Sequence, residues 1–111
     1  MLHGWPGSFL EFEQLIEPLV ADGHDIVIPS LPGFAFSGQP TEPLGPRRIA
    51  ELLHRLMVKL FGVGRYLVQG GDWGAAIGAW MAHDHADAVA ALHLNMVLIR
   101  NGPIVTAAYV S

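Results

Sequence analysis

The pentad Gly70-Gly71-Asp72-Trp73-Gly74 follows the apolar run Tyr66-Leu67-Val68-Gln69 and precedes a stretch of small and apolar residues, a placement that commits the chain to strand, sharp turn and helix. Flanking glycines let strand and helix approach closely, and a turn of this kind lifts its central side chain clear of the sheet. In the G-x-S-x-G form of such an elbow, the central serine needs a neighbouring base before it can attack. A carboxylate is already anionic at neutral pH, and the helix N-terminus behind it favours that charge. Asp72 is therefore a candidate nucleophile that needs no prior deprotonation. Taken alone, the pentad is better served by a capping role, because Asp is a favoured N-cap and Gly-Asp is common turn chemistry. The upstream segment His3-Gly4-Trp5-Pro6-Gly7 shifts the balance, because it stands where this architecture keeps an oxyanion loop. Displacement at a saturated carbon with a strained or good leaving group, then hydrolysis of the resulting ester, is the chemistry such an anion suits. Epoxides and haloalkanes fit that description.

The rest of the composition narrows the class. With 111 residues, 51% of them hydrophobic, one small domain is the most the length allows, and the chain is expected to be part of a domain. No cysteine means no disulfide framework and no thiolate metal site, which fits a reducing compartment and favours a cytoplasmic setting. A net charge of −4 without a basic block argues against nucleic acid. Met1-Leu2-His3-Gly4 has neither the basic nor the apolar segment of a secretory signal. The apolar stretch from Ala88 to Ile99 is shorter than the roughly 20 residues of a membrane span and is interrupted by His93 and Asn95.

Along the chain, helix and strand patterns alternate without repeats. Ser8 with Glu11 makes a capping box, and Leu10, Leu15, Ile16 and Leu19 form a stripe through residue 21, with Pro18 expected to kink or shorten that helix. Asp25-Ile26-Val27-Ile28-Pro29 reads as a buried strand, followed by a Pro/Gly-rich loop from Ser30 to Pro46. Ile49, Leu52, Leu53, Leu56, Met57, Leu60 and Phe61 share one helical face, with Glu51 and Arg55 paired outside it and Gly62 as the stop. Tyr66 to Gln69 is the strand feeding the elbow, Trp73 to about His85 the helix leaving it, and Ala88 to Leu94 a third strand. This β-α-β-α-β order implies a parallel sheet with right-handed crossovers, with ligands beyond the carboxyl ends of the strands. Such a sheet is normally covered on both faces and continued at its edges, so self-association through exposed sheet edges is expected.

Three patterns in order resemble those of α/β-hydrolase-fold epoxide hydrolases. They are His3-Gly4-Trp5-Pro6, Gly33-Phe34-Ala35-Phe36-Ser37 and Gly70-Gly71-Asp72-Trp73-Gly74-Ala75. Gln69 to Gly74, with Gly71 where soluble relatives usually carry His, and Leu92-His93-Leu94-Asn95-Met96 are similar to the microsomal and juvenile-hormone branch. The resemblance covers essentially the whole chain. It implies a partial α/β-hydrolase fold, with helices on both faces of the parallel sheet and without its flanking strands and lid, as a single incomplete domain over residues 1–111. It also implies that Asp72 opens the oxirane to a covalent ester, that water then attacks the ester carbonyl, and that the backbone N–H groups of Trp73 and Trp5 hold the resulting oxyanion. A cis Trp5–Pro6 peptide is implied too. Trp5, Pro6 and Trp73 are the expected substrate-binding residues, with the two indoles also available for core packing. His3, Gly4, Gly70, Gly71 and Gly74 are structural, and Ser37 is expected to hold its own turn. The small-molecule epoxide and water are the partners, and neither metal nor other cofactor is implied.

Other residues are read more plainly. His83-Asp84-His85 looks like a ligand set, but i and i+2 on a helix do not face each other, so a solvated helix end is expected. His93 is expected to be a satisfied histidine, and His24, His54 and Tyr66 carry no special signal. The tyrosine donors and the histidine with its acidic partner that the family needs are expected after residue 111. Two alternatives stand beside this reading. A haloalkane dehalogenase also places Trp after an Asp nucleophile, although it usually has Asn where Trp5 stands. The other is a truncated, non-catalytic hydrolase piece.

Overall fold

The computed structural model describes residues 1–97 and 109–110; Leu98 and Ile99, the end of the apolar stretch considered above, lie outside them. A 3₁₀ turn, Phe9–Phe12, leads into α1 (Glu13–Ala21). Then follow α2 (Pro46–Arg55), a π-helical turn (Leu56–Leu60), β1 (Tyr66–Gly70), α3 (Trp73–Asp84), β2 (Val89–Leu94) and the short β3 (Tyr109–Val110). The strands form one parallel sheet in the order β1-β2-β3. Leu2 adds a single parallel bridge to Gly70 on the free side of β1.

Burial alternates along β1: Tyr66, Val68 and Gly70 turn inward while Leu67 is exposed. The inward residues meet α3, whose small residues allow close packing; Gly78 leaves its backbone against Val68 and Leu92. Ile77 is fully buried, Leu92 and Leu31 nearly so, and Ile49, Ala50 and Leu53 of α2 complete that side. Arg47 ties the start of α2 to the end of α3, with Nε and Nη2 on the two Asp84 oxygens at 2.7 and 2.9 Å and its guanidinium 4.6 Å over the Trp80 ring.

Four local expectations change. Residues 25–29 are extended and half-buried but form no ladder; their neighbour is the Met1-Leu2 stub, and Met1 N donates to Val27 O at 2.7 Å. Without a continuous strand alongside, backbone pairing stops there. The α1 stripe is exposed at Leu10, Leu15 and Ile16, because α1 packs against no described element beyond its own 3₁₀ lead-in. Pro18 is accommodated, and the helix continues to Ala21 before Gly23 (φ +91°) turns the chain. The long helical face of α2 loses its register at Leu56, where Phe61 N reaches back five residues to Leu56 O at 3.2 Å. That wider turn rotates Leu60 and Phe61 into solvent. Glu51, finally, turns to His85 Nε2 at 3.2 Å rather than to Arg55.

Candidate active site

The elbow between β1 and α3 is built by close backbone approach. A Cβ on Gly70 would overlap the Gly74 carbonyl, and one on Gly74 would overlap Leu2 O, so both positions admit only glycine without displacement of main chain. Gly71 leaves room for the Asn95 carboxamide in the same way. Between them Asp72 sits at φ +51°, ψ −123°, a region that costs a non-glycine residue about 1–3 kcal/mol. Its side chain makes no capping bond to the helix behind it. The main-chain carbonyl alone accepts from Ala75 N, at 3.0 Å. The capping reading therefore fails at the side chain.

The carboxylate faces the upstream loop instead. Asp72 Oδ2 accepts the Trp5 N–H at 2.8 Å, and Gly4 gives the carboxylate its room, since a Cβ there would overlap Asp72. Trp5 and Pro6 are joined by a cis peptide. Trp73 opens α3, where a main-chain N–H has no intrahelical acceptor. Of the two backbone donors singled out in the sequence, the Trp5 N–H is bonded to the carboxylate, and the Trp73 N–H belongs to the residue that follows it.

His3 fixes the loop from below. It is 1% exposed, its Nε2 accepts the Leu31 N–H at 3.1 Å, and its Nδ1 donates to Gly4 O at 3.3 Å. This pattern defines the neutral Nδ1–H tautomer and leaves no lone pair for chemistry. Phe34 closes on the ring edge-on at 5.2 Å. Ser37 holds its own loop, its hydroxyl donating to Ser30 O and its N–H to Phe34 O.

A cavity of about 280 Å³ opens over Asp72, bordered by Trp5, Glu11, Gln69, Gly71, Asn95 and Met96 among others. Pro6 and Trp73 are not among its walls. The indoles of Trp5 and Trp73 are 71% and 49% exposed, so neither packs in the core. Asn95 and Gln69 were not singled out for their side chains from the sequence, yet both border the cavity, and Gln69 Oε1 is buried without a hydrogen-bond partner. The larger groove, about 620 Å³ between residues 25–29 and β1, is lined chiefly by apolar residues and does not include Asp72.

The other titratable groups lie elsewhere. His83 contacts Asp84 at 3.0 Å, as a helix-end residue would. Hydrogen bonds from Arg47 and His83 hold the Asp84 carboxyl down at about 2. His85 departs from the expected solvated end: its ring stacks on His54 at 3.6 Å with the planes 7° apart. Burial raises the Tyr66 hydroxyl to about 12, and it shares a hydrogen bond of 2.7 Å with His54 Nδ1. No group of three or more potential metal ligands occurs among the described residues.

A family model described as alpha/beta hydrolase fold matches residues 1–107. The juvenile hormone epoxide hydrolase of Bombyx mori is 42% identical over 105 residues, covering 88% of this chain and 23% of that protein. Epoxide hydrolase 1 of Oryctolagus cuniculus is 40% identical over 110 residues, covering 89% and 24%. The crystal structure of the Bombyx mori enzyme superposes with a TM-score of 0.76 at 40% identity over 86% of this chain and 27% of that one. The chain spans about a quarter of the length of the curated relatives it matches.

Proposed function

The chain belongs to the alpha/beta hydrolase fold family, and within it we propose that residues 1–111 are a single incomplete domain carrying the nucleophile and oxyanion hole of an epoxide hydrolase, which converts epoxides to vicinal diols through an ester on Asp72. The observation that carries this reading is the Trp5 N–H on Asp72 Oδ2 at 2.8 Å, with no capping bond from the side chain. It divides the labour of the two oxygens. Oδ2 is held by a backbone donor, and Oδ1 accepts no hydrogen bond from a described residue and is free to attack.

Attack of Oδ1 on an oxirane carbon forms the ester bond and breaks the ring C–O bond. The released alkoxide takes a proton from an acid. Water then adds to the ester carbonyl, giving up a proton to a base, and the charge develops on Oδ2, where the Trp5 amide already donates and the Trp73 amide is the proposed second donor. Collapse expels the diol oxygen and restores the carboxylate. Trp5, which borders the cavity, and Pro6 and Trp73, which do not, are the proposed substrate contacts, and a small epoxide and water the partners. Among the described residues the Asp72 pocket offers neither an unbonded imidazole nor a tyrosine: His3 has both nitrogens on backbone groups, and no described tyrosine borders the cavity.

In a chain completed with the missing acid and base, a single turnover in ¹⁸O-water tests the route, with protein in excess over styrene oxide. The solvent oxygen should enter the Asp72 peptide and leave the first diol unlabelled. Label confined to the diol excludes the ester, and halide release from a chloroalkane without epoxide opening favours a dehalogenase.

A further inference from the structure

We propose that Glu11 makes the Asp72 pocket charge-selective, admitting uncharged epoxides and rejecting those that carry a carboxylate. This rests on the reading of Asp72 given above. From the sequence, Glu11 belongs to a capping box and should reach back to Ser8. In the structure Ser8 Oγ accepts from Leu10 N at 3.3 Å, and the Glu11 N–H goes to Ser8 O at 3.1 Å. The carboxylate is left out of the cap. It folds over Gly7, occupying the space a side chain there would need, and borders the same cavity as Asp72.

The charges around that cavity are one-sided. Glu11 and Asp72 are both negative, and among the described residues no lysine or arginine borders the cavity. His3 offers no compensating cation, since its bonding to Leu31 N–H and Gly4 O defines a neutral ring. Gln69 brings a buried, unpartnered acceptor oxygen to the same walls. A ligand carboxylate would meet two like charges and no counterion, whereas an uncharged group would not. Near a protein surface, a like charge a few ångströms away weakens binding by about tenfold, and salt screens the effect.

The para-carboxamide and para-carboxylate of phenyl glycidyl ether differ in charge at nearly constant shape. Their diols are unreactive and report binding alone, read from the fluorescence of the protein at low micromolar concentration. In low salt the carboxamide diol should bind about tenfold more tightly than the carboxylate diol. Glu11→Gln, which keeps the side-chain size at an exposed position, should narrow the ratio to about threefold, and raising the salt to about 0.5 M should narrow it also. Equal binding, no binding of either diol, or a ratio that Glu11→Gln leaves unchanged would overturn the proposal. Adduct formation on Asp72 by the carboxamide epoxide is read separately. Its absence, with the diol preference intact, would refute the nucleophile and leave charge selection standing.

Discussion

At the level of single residues, Asp72 combines a strained backbone with a carboxylate that does not cap its helix, and the strain can be measured. At φ +51°, ψ −123° glycine is relaxed and alanine is not. Asp72→Gly should therefore be more stable than Asp72→Ala by about 1–2 kcal/mol in urea unfolding, against the usual entropic penalty of glycine. Alanine as stable as glycine would mean that the elbow is not strained. Gly74→Ala acts in the opposite sense. Its Cβ would overlap Leu2 O, main chain that cannot rotate away, so a loss of about 3 kcal/mol is expected and an unchanged urea midpoint would contradict the packing. Much of this was legible in the sequence. Glycines at 70, 71 and 74 around an acid have few other uses, and His3-Gly4-Trp5-Pro6 gave the partner loop. The turn of Glu11 toward the pocket was not legible, because a capping-box spacing describes which bonds a helix start can make and not which of them a nearby glycine diverts.

Among the elements, α2, β1 and α3 are joined at the end remote from Asp72 by the His54–His85 stack, with Tyr66 on one ring and Glu51 on the other. Burial and the adjacent His85 push the His54 imidazole below its ordinary value, with Glu51 and Asp87 opposing. The unfolded chain therefore binds this proton first. The contribution to stability is complete above the unfolded value of about 6.5 and is lost as pH falls below it. Melting temperature should drop between about pH 7.5 and 5.5, and His54→Asn, which keeps an acceptor for Tyr66 without a titrating ring, should flatten that drop. An unaltered slope would remove His54 from the linkage. This cluster escaped the sequence because its members are distant neighbours: residues 54, 66 and 85 meet only after β1 and α3 have packed. The strand expected at residues 25–29 failed for a related reason. Ile26, Val27 and Ile28 specify an extended segment, but a ladder needs a partner strand, and here Leu2 gives its N–H to Gln69 while only Met1 N reaches the segment, at Val27 O.

Over the molecule as a whole, α2 and α3 cover one side of the sheet, while Leu67 on the other is 65% exposed beside an open apolar groove. Exposed apolar surface next to a parallel strand favours self-association, so the chain alone should sediment with a mass that rises with concentration over the micromolar range. A single monomeric species throughout would contradict this, and Leu67→Lys should suppress the rise.

The lining of the Asp72 pocket shapes the chemistry. With Asp72 poised, and neither an unbonded imidazole nor a tyrosine among the described residues of its pocket, an ester once formed lacks the usual histidine base and should persist. The most direct measurement is peptide mapping by mass spectrometry after incubation with styrene oxide. The peptide containing Asp72 should gain the mass of one epoxide, with fragmentation placing it on that residue, and Asp72→Asn should abolish the gain because a neutral amide is a poor nucleophile. An unmodified Asp72 peptide, or a gain that persists in Asp72→Asn, would contradict the assignment of Asp72 as the nucleophile.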